Sequence, residues 1–270
     1  GQNSVESAAD AALGLVARRM TFFHDNVTIL IALSQFAKTR LIEAGFREEQ
    51  IVVLSNMVHD TPQPVVPDKG QYVAFAGRLS PEKGVETLLA AARELPEINV
   101  RLAGDGPLES RLRSDLPPNV QMLGRLESGP MKSLYRGARF FVLPSRSYEM
   151  CPLVILEAMS HGLPVITSRL GGQAELVEDG VTGFLFDPND PQDLARKMQR
   201  LWEDPQLCQQ FGAAGFALEK SHYGEETYYR RLRGIYDQAI ALTGNSEPQM
   251  PELTMDNAST SDSITIGGPS

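Results

Sequence analysis

From residue 71 to residue 186 the chain alternates short, nearly all-apolar runs with stretches of helical character. This rhythm constrains the fold more than any other feature. The runs fall at 72–76, 99–103, 120–123, 139–143, 164–167 and 184–186. A strand that is apolar throughout has both of its faces covered. Strands that alternate with helices pair in parallel through crossover connections. The sequence therefore predicts an α/β fold, a Rossmann-like parallel sheet with helices on both faces. Such sheets bind ligands beyond the C-terminal ends of their strands. The loops that follow each run are thus the place to look for function.

The stretch Ser145-Arg-Ser-Tyr-Glu-Met-Cys-Pro-Leu-Val-Ile-Leu-Glu157 follows the fourth run. It reads as a strand–loop–helix junction, with Glu149 in the loop, Pro152 at the first helical position and Glu157 one to two turns into the helix. A helix start points free N–H groups and the positive end of its dipole at an anion in front of it. Met150, Cys151, Leu153 and Val154 offer such amides. Glu157 suits the two vicinal hydroxyls of a ribose, and equally suits a helix dipole on its own.

Two more loops carry cations. Gly77 permits close backbone approach, Arg78 presents a planar fork of donors, and Lys83 adds a point charge, a set that fits a diphosphate. Surface charge beside a turn is the competing reading. The turn Gly104-Asp105-Gly106-Pro107 reads first as structural. Gly124 and Arg125 end the third run, where backbone groups can face a nucleobase. Gly171-Gly172 and Glu175 form a further loop on the same edge, with Glu175 suited to capping or to ligand contact.

Earlier in the chain, 29–33 and 51–54 read as strands. Ser34 caps a helix over 35–44 that Gly45 closes. A Pro-rich stretch at 61–70 reads as a linker. The chain thereby divides into 1–60, the linker, a ligand-binding domain at 71–223, a closing helix at 224–243 and a tail. The closing region holds three helices, two of which open on Asp190-Pro191 and Asp204-Pro205, an N-cap followed by proline. The tail, 244–270, has four acids and no Lys or Arg, and is expected to be disordered. Residues 1–28 include a helical stretch whose Arg18-Arg19 pair reads first as a solvated helix face. Contact with an anionic membrane surface is the alternative.

Composition removes several classes. A net charge of -9 disfavours broad nucleic-acid binding. The two cysteines, Cys151 and Cys208, make neither a disulfide framework nor a metal-ligand spacing with the four histidines. No apolar run reaches membrane-spanning length. The expectation is a cytoplasmic protein, with a peripheral place at the inner membrane surface as a further option.

In sequence order the motifs are Ala-Leu-Ser-Gln-Phe at 32–36, Gly77-Arg78-Leu79 with Glu82-Lys83-Gly84, Gly104-Asp105-Gly106-Pro107 and Leu123-Gly124. Glu149 to Glu157 then runs on into Ala158-Met159-Ser160-His161-Gly162-Leu163-Pro164-Val165-Ile166, and Gly171-Gly172 through Gly180 and Gly183 closes the set. As an ordered set they resemble the donor-binding half of a family 4 glycosyltransferase of the GT-B fold, over about 29–242. The resemblance implies a retaining transferase that moves a sugar from a UDP- or GDP-sugar to a hydroxyl of a carbohydrate or lipid-linked acceptor, without cofactor or metal. It implies Arg78 and Lys83 on the diphosphate, Glu157 on the ribose and Glu149 at the donor sugar, so that Glu149, Arg78 and Lys83 form the catalytic set.

The sequence departs from the family in one place. Met150-Cys151-Pro152 stands where Gly-Phe-Gly is frequent, which bears on sugar preference. A complete enzyme also has an N-terminal acceptor domain of roughly 100–150 residues. Residues 1–60 read as its last piece, and a chain that supplies the missing N-terminal domain is a further candidate partner. A non-catalytic nucleotide-sugar-binding subunit is the alternative. A sugar epimerase of similar architecture is a third reading, marked by donor turnover without acceptor.

Overall fold

The structure is a computed structural model that describes residues 26–59 and 62–244. The helix and the Arg18-Arg19 pair expected near the start, and all but the first residue of the tail expected at 244–270, lie outside the described residues.

A small unit comes first. Strand β1 (Leu30–Ala32), helix α1 (Gln35–Glu43) and strand β2 (Ile51–Val53) form a two-stranded parallel pair with a helix packed on it. Ala32, Ala37 and Ile51 are its buried centre. Ser34 is extended and its Oγ accepts from Ala37 N at 3.1 Å, the cap that its position predicts. Gly45 follows the helix end at φ 99°.

The larger unit is one six-stranded parallel sheet. Its strands are β3 (Tyr72–Ala76), β4 (Val100–Ala103), β5 (Val120–Gly124), β6 (Ala138–Leu143), β7 (Val165–Ser168) and β8 (Gly183–Phe186). The spatial order is β5-β4-β3-β6-β7-β8, all parallel. From β3 the chain steps outward through β4 and β5, returns to the other side of β3 as β6, and steps outward again. This is the doubly wound order, and its switch point lies between β3 and β6. Every residue of β3, β7 and β8 is buried, as is most of β6. That is why these strands read as continuous apolar runs.

The crossovers are α2 (Val85–Glu94), α3 (Glu109–Ser114), α4 (Ser128–Gly137), α5 (Leu153–Ser160) and α6 (Gln173–Leu176). Three helices complete the described chain: α7 (Pro191–Glu203), α8 (Pro205–His222) and α9 (Glu225–Thr243). Asp190 Oδ1 accepts from Gln192 N and Asp193 N, and Asp204 Oδ1 from Leu207 N, so both Asp-Pro pairs act as caps. Helix α8 lays Cys208, Phe211, Gly212 and Gly215 against the sheet unit. At Gly212 a Cβ would stand 2.2 Å from Gly162 O, so this contact admits only glycine. Helix α9 has no buried residue, and exposes Tyr229, Tyr236 and Leu242.

The Pro-rich stretch is seated on the sheet unit. Val65 N donates to His161 O at 2.8 Å, and Pro67–Lys69 forms a 3-10 turn. Pro152 lies one residue earlier in the helix frame than expected. With ψ 117° it is extended and forms the N-cap, and Leu153 is the first helical residue. A proline in that place fixes φ at the entry without costing a helical hydrogen bond.

Candidate functional site

The C-terminal edge of the sheet holds a cleft of about 670 Å³ at the switch point. Gly77 and Arg78 come from the end of β3, and Gly104 to Pro107 from the end of β4. Arg125 and Leu126 follow β5, Met131 reaches in from α4, and Val154 from the first turn of α5. Of the residues expected at the site, Gly77, Arg78, Arg125 and Val154 line this cleft directly. The Arg78 side chain makes no hydrogen bond or ion pair within the described residues and stands exposed at the rim. A Cβ on Gly77 would meet only the Phe75 ring, at 3.3 Å, so the backbone there is open to the cleft.

Lys83 and Glu149 are joined to each other. Lys83 Nζ is 2.5 Å from Glu149 Oε1, and Ser145 Oγ donates to the same oxygen at 2.8 Å. Their side chains keep only 26% and 17% of their exposure, so the pair is partly withdrawn from water. Two backbone features bring the loops together. Arg146 N donates to Glu82 O at 2.8 Å. Gly84, at φ 66°, leaves room for Pro144 O, which a Cβ would approach to 1.8 Å. Within the same turn Ser80 Oγ donates to Glu82 Oε1 at 2.5 Å, and this bond first of all holds the Glu82 carboxyl below its ordinary value.

The amides of Met150, Cys151, Leu153 and Val154 donate to no acceptor within the described residues. They sit at the start of α5, where unpaired N–H groups and the helix dipole favour an anion. Cys151 itself is buried, and burial pushes its thiol up. Its carbonyl accepts from Asn56 Nδ2 at 2.8 Å. Met150 and Leu153 expose their side chains.

Glu157 lies one turn beyond Val154, on the same helix face and set back from the cleft. Tyr135 Oη donates to Glu157 Oε2 at 2.7 Å, and His161 Nδ1 lies 2.8 Å from the Glu157 carbonyl. Tyr135 is almost fully buried, and burial raises its phenol well above the usual value, with the Glu157 charge adding to the effect.

The glycines of the other two loops serve packing between loops. A Cβ on Gly104 would stand 1.9 Å from Gly77 O, and one on Gly106 2.5 Å from Leu79 O. The turn at 104–107 is thus structural, and it also forms one wall of the cleft. Gly124 takes φ 70° with nothing near its missing Cβ. At Gly171 the close neighbours are Tyr148 and Glu149, and at Gly172 the Met150 carbonyl at 2.0 Å. Gly172 N donates to Glu149 O at 2.7 Å. The loop that carries Glu149 is therefore supported from behind by this pair.

Glu175 accepts from Gln35 N at 2.8 Å and from Phe36 N at 2.5 Å. It caps helix α1 from the far side of the chain, and Phe36 stacks near Tyr148 with centroids 4.7 Å apart. The small unit thereby rests on the two loops, 145–152 and 171–175, that border the site. Tyr135, Met131, Asn56 and Ser145 had drawn no functional reading from sequence. Only Ser145 lay within a motif, while the others act through contacts that no local spacing encodes. Among the described residues no group of three or more His, Cys, Asp or Glu is placed to hold a metal ion. No described helix is long and apolar enough to cross a membrane.

The doubly wound sheet thus gathers basic and acidic loops at its switch point, the edge where open α/β sheets take ligands. The family model described as Glycosyl transferases group 1 matches residues 59–217, and the chain belongs to that family. It is similar to an uncharacterized glycosyltransferase of Methanocaldococcus jannaschii, 31% identical over 215 residues, which is 77% of this chain and 59% of the relative. A sulfoquinovosyl transferase of Arabidopsis thaliana is 36% identical over 148 residues, 53% of this chain and 28% of that protein. The chain thus spans no more than about three fifths of either relative. Among solved structures, Anabaena HepE in complex with UDP and glucose superposes with TM-score 0.73 at 26% identity, over 83% of this chain and 67% of that one. The same protein in complex with UDP-glucose matches with TM-score 0.73 at 27% identity, over 83% and 68%.

Proposed function

We propose that this chain is the donor-binding half of a retaining glycosyltransferase of family 4, which moves a sugar from a UDP- or GDP-sugar to an acceptor hydroxyl. The observation that carries the reading is the cleft at the switch point, with the unpaired Arg78 at its rim and the Lys83–Glu149 pair beside the free amides of α5. The base occupies the cleft between the 104–107 turn and Arg125, Leu126 and Met131. The diphosphate lies toward Arg78, Lys83 and the start of α5. Glu157 takes the ribose, and Glu149 faces the donor sugar. The complexes of HepE with UDP and with UDP-glucose support a donor of this class.

In the reaction the bond from the anomeric carbon to the diphosphate oxygen breaks and the acceptor oxygen forms the new bond on the same face. The acceptor proton goes to the departing phosphate. Charge grows on that phosphate, where Arg78, Lys83 and the α5 amides stabilise it more in the transition state than in the ground state. Glu149 orients the sugar.

A thermal-shift titration with UDP, GDP and ADP, beside an Arg78→Ala/Lys83→Ala variant, tests the donor site. Saturation near 100 Kd raises stability by about 2.7 kcal/mol. A shift with one nucleotide, absent in the variant, is the expected result. A folded protein that shifts with none of them overturns the reading.

A second reading is a nucleotide-sugar-binding subunit whose acceptor site comes from another chain. Helix α9, with no buried residue, favours it. Transfer that appears only when a partner chain is added would establish it.

A further inference from the structure

The ribose reading of Glu157 leaves open what holds that carboxylate, and the structure answers with a residue on a different helix. Tyr135 is 1% exposed, its ring lies 5.8 Å from Phe141 and 4.9 Å from His161, and its hydroxyl reaches Glu157 Oε2 at 2.7 Å. His161 Nδ1 meets the Glu157 carbonyl, so the ring that packs on Tyr135 also touches the acid's own backbone. Four residues before Tyr135 on α4, Met131 lines the cleft. One helix therefore forms a wall of the cleft and grips the acid behind it.

We propose that Tyr135 is a positioning residue for ribose recognition: by occupying Glu157 Oε2 it fixes the rotamer of the carboxylate and leaves Oε1 to accept from the ribose hydroxyls. The proposal rests on Glu157 being the ribose acid. A phenol that keeps its proton donates it to the carboxylate, and a hydrogen bond to the charged form favours that form. Without the hydroxyl, Glu157 is free to turn toward other partners. The cost of ordering it then falls on the ligand.

The test compares affinities of UDP and GDP with those of their 2′,3′-dideoxy forms by calorimetric titration, for the unmodified chain, Tyr135→Phe and Glu157→Ala. The two ligands are compared on one protein, so a general loss of stability cancels from the ratio. The unmodified chain is expected to prefer the ribose form by about tenfold or more, the range of a charge-assisted hydrogen bond. Tyr135→Phe should bring that preference to within about threefold of unity and leave dideoxy affinity within a factor of about two. Glu157→Ala should abolish the preference. If Glu157→Ala abolishes it and Tyr135→Phe leaves it intact, the positioning role is overturned while the ribose reading stands. If Glu157→Ala leaves it intact, or neither nucleotide binds the unmodified chain, the underlying reading fails and takes the proposal with it.

Discussion

Lys83 and Glu149 are 66 positions apart in the chain, and their charged ends meet at 2.5 Å. The pair links the loop after β3 to the loop after β6 across the switch point. Without a ligand, each charge answers the other. In the proposed function a diphosphate would compete with Glu149 for Lys83.

Glu149→Gln is accordingly expected to tighten binding of a free nucleoside diphosphate, because it removes a negative charge beside the phosphates and releases Lys83. The gain should be about threefold to tenfold, near 1 kcal/mol for one partly exposed pair. Sugar transfer should fall at the same time. Parallel titrations with UDP and assays with UDP-glucose check both halves, and weaker UDP binding in the variant would contradict the competition.

Gly84→Ala should lower stability by about 2 kcal/mol or more, since it combines an unfavourable left-handed φ with a collision at the Pro144 carbonyl. The strain falls between Lys83 and Val85, so nucleotide affinity should drop along with the melting temperature. A variant as stable as the parent in chemical denaturation would show that this loop yields more readily than its geometry implies.

Glu175→Ala removes two hydrogen bonds to the first turn of α1. A stability loss of about 1 kcal/mol is expected, typical for a lost cap. Hydrogen exchange should speed up at Gln35 and Phe36 and leave β3 and β6 unchanged. Equal acceleration across the large sheet would mean that the small unit and the sheet open together.

Glu219 on α8 is fully buried, and neither carboxylate oxygen has a hydrogen-bond partner within the described residues. Burial pushes its carboxyl up to about 7. A raised acid holds its proton in the fold after the unfolded chain has lost it. The contribution of Glu219 to stability is therefore greatest below the ordinary value near 4.5 and declines as pH climbs toward about 7, by at most about 1.4 kcal/mol per pH unit. Glu219→Gln should flatten that decline, and denaturation curves between pH 5 and pH 8 will show whether it does.

The large sheet was legible because β3, β7 and β8 are buried on both faces and so leave unbroken apolar runs. The Asp190 and Asp204 caps were legible because capping depends on neighbours in sequence. Pro152 was off by one residue, since proline fixes φ but not ψ, and ψ decides whether it belongs to the helix. At the site, sequence picked out the acids and cations but not their partners. Tyr135 reaches Glu157 across 22 residues and Glu175 reaches Gln35 across 140. Such pairings are set by how strands are ordered in space, which no local spacing records.

Beyond the Glu149 carboxylate on Lys83 and Ser145, the loop from Glu149 to Cys151 is gripped through its main chain: Gly172 N on the Glu149 carbonyl, Gly172 packed on the Met150 carbonyl and Asn56 on the Cys151 carbonyl. None of these contacts reads the side chain of Met150, which points outward. Mutational drift at that position is uncoupled from the scaffold's integrity. A library randomised at Met150 alone should retain its folded members, and in the proposed function selection on it would act on sugar preference without first having to rescue the fold.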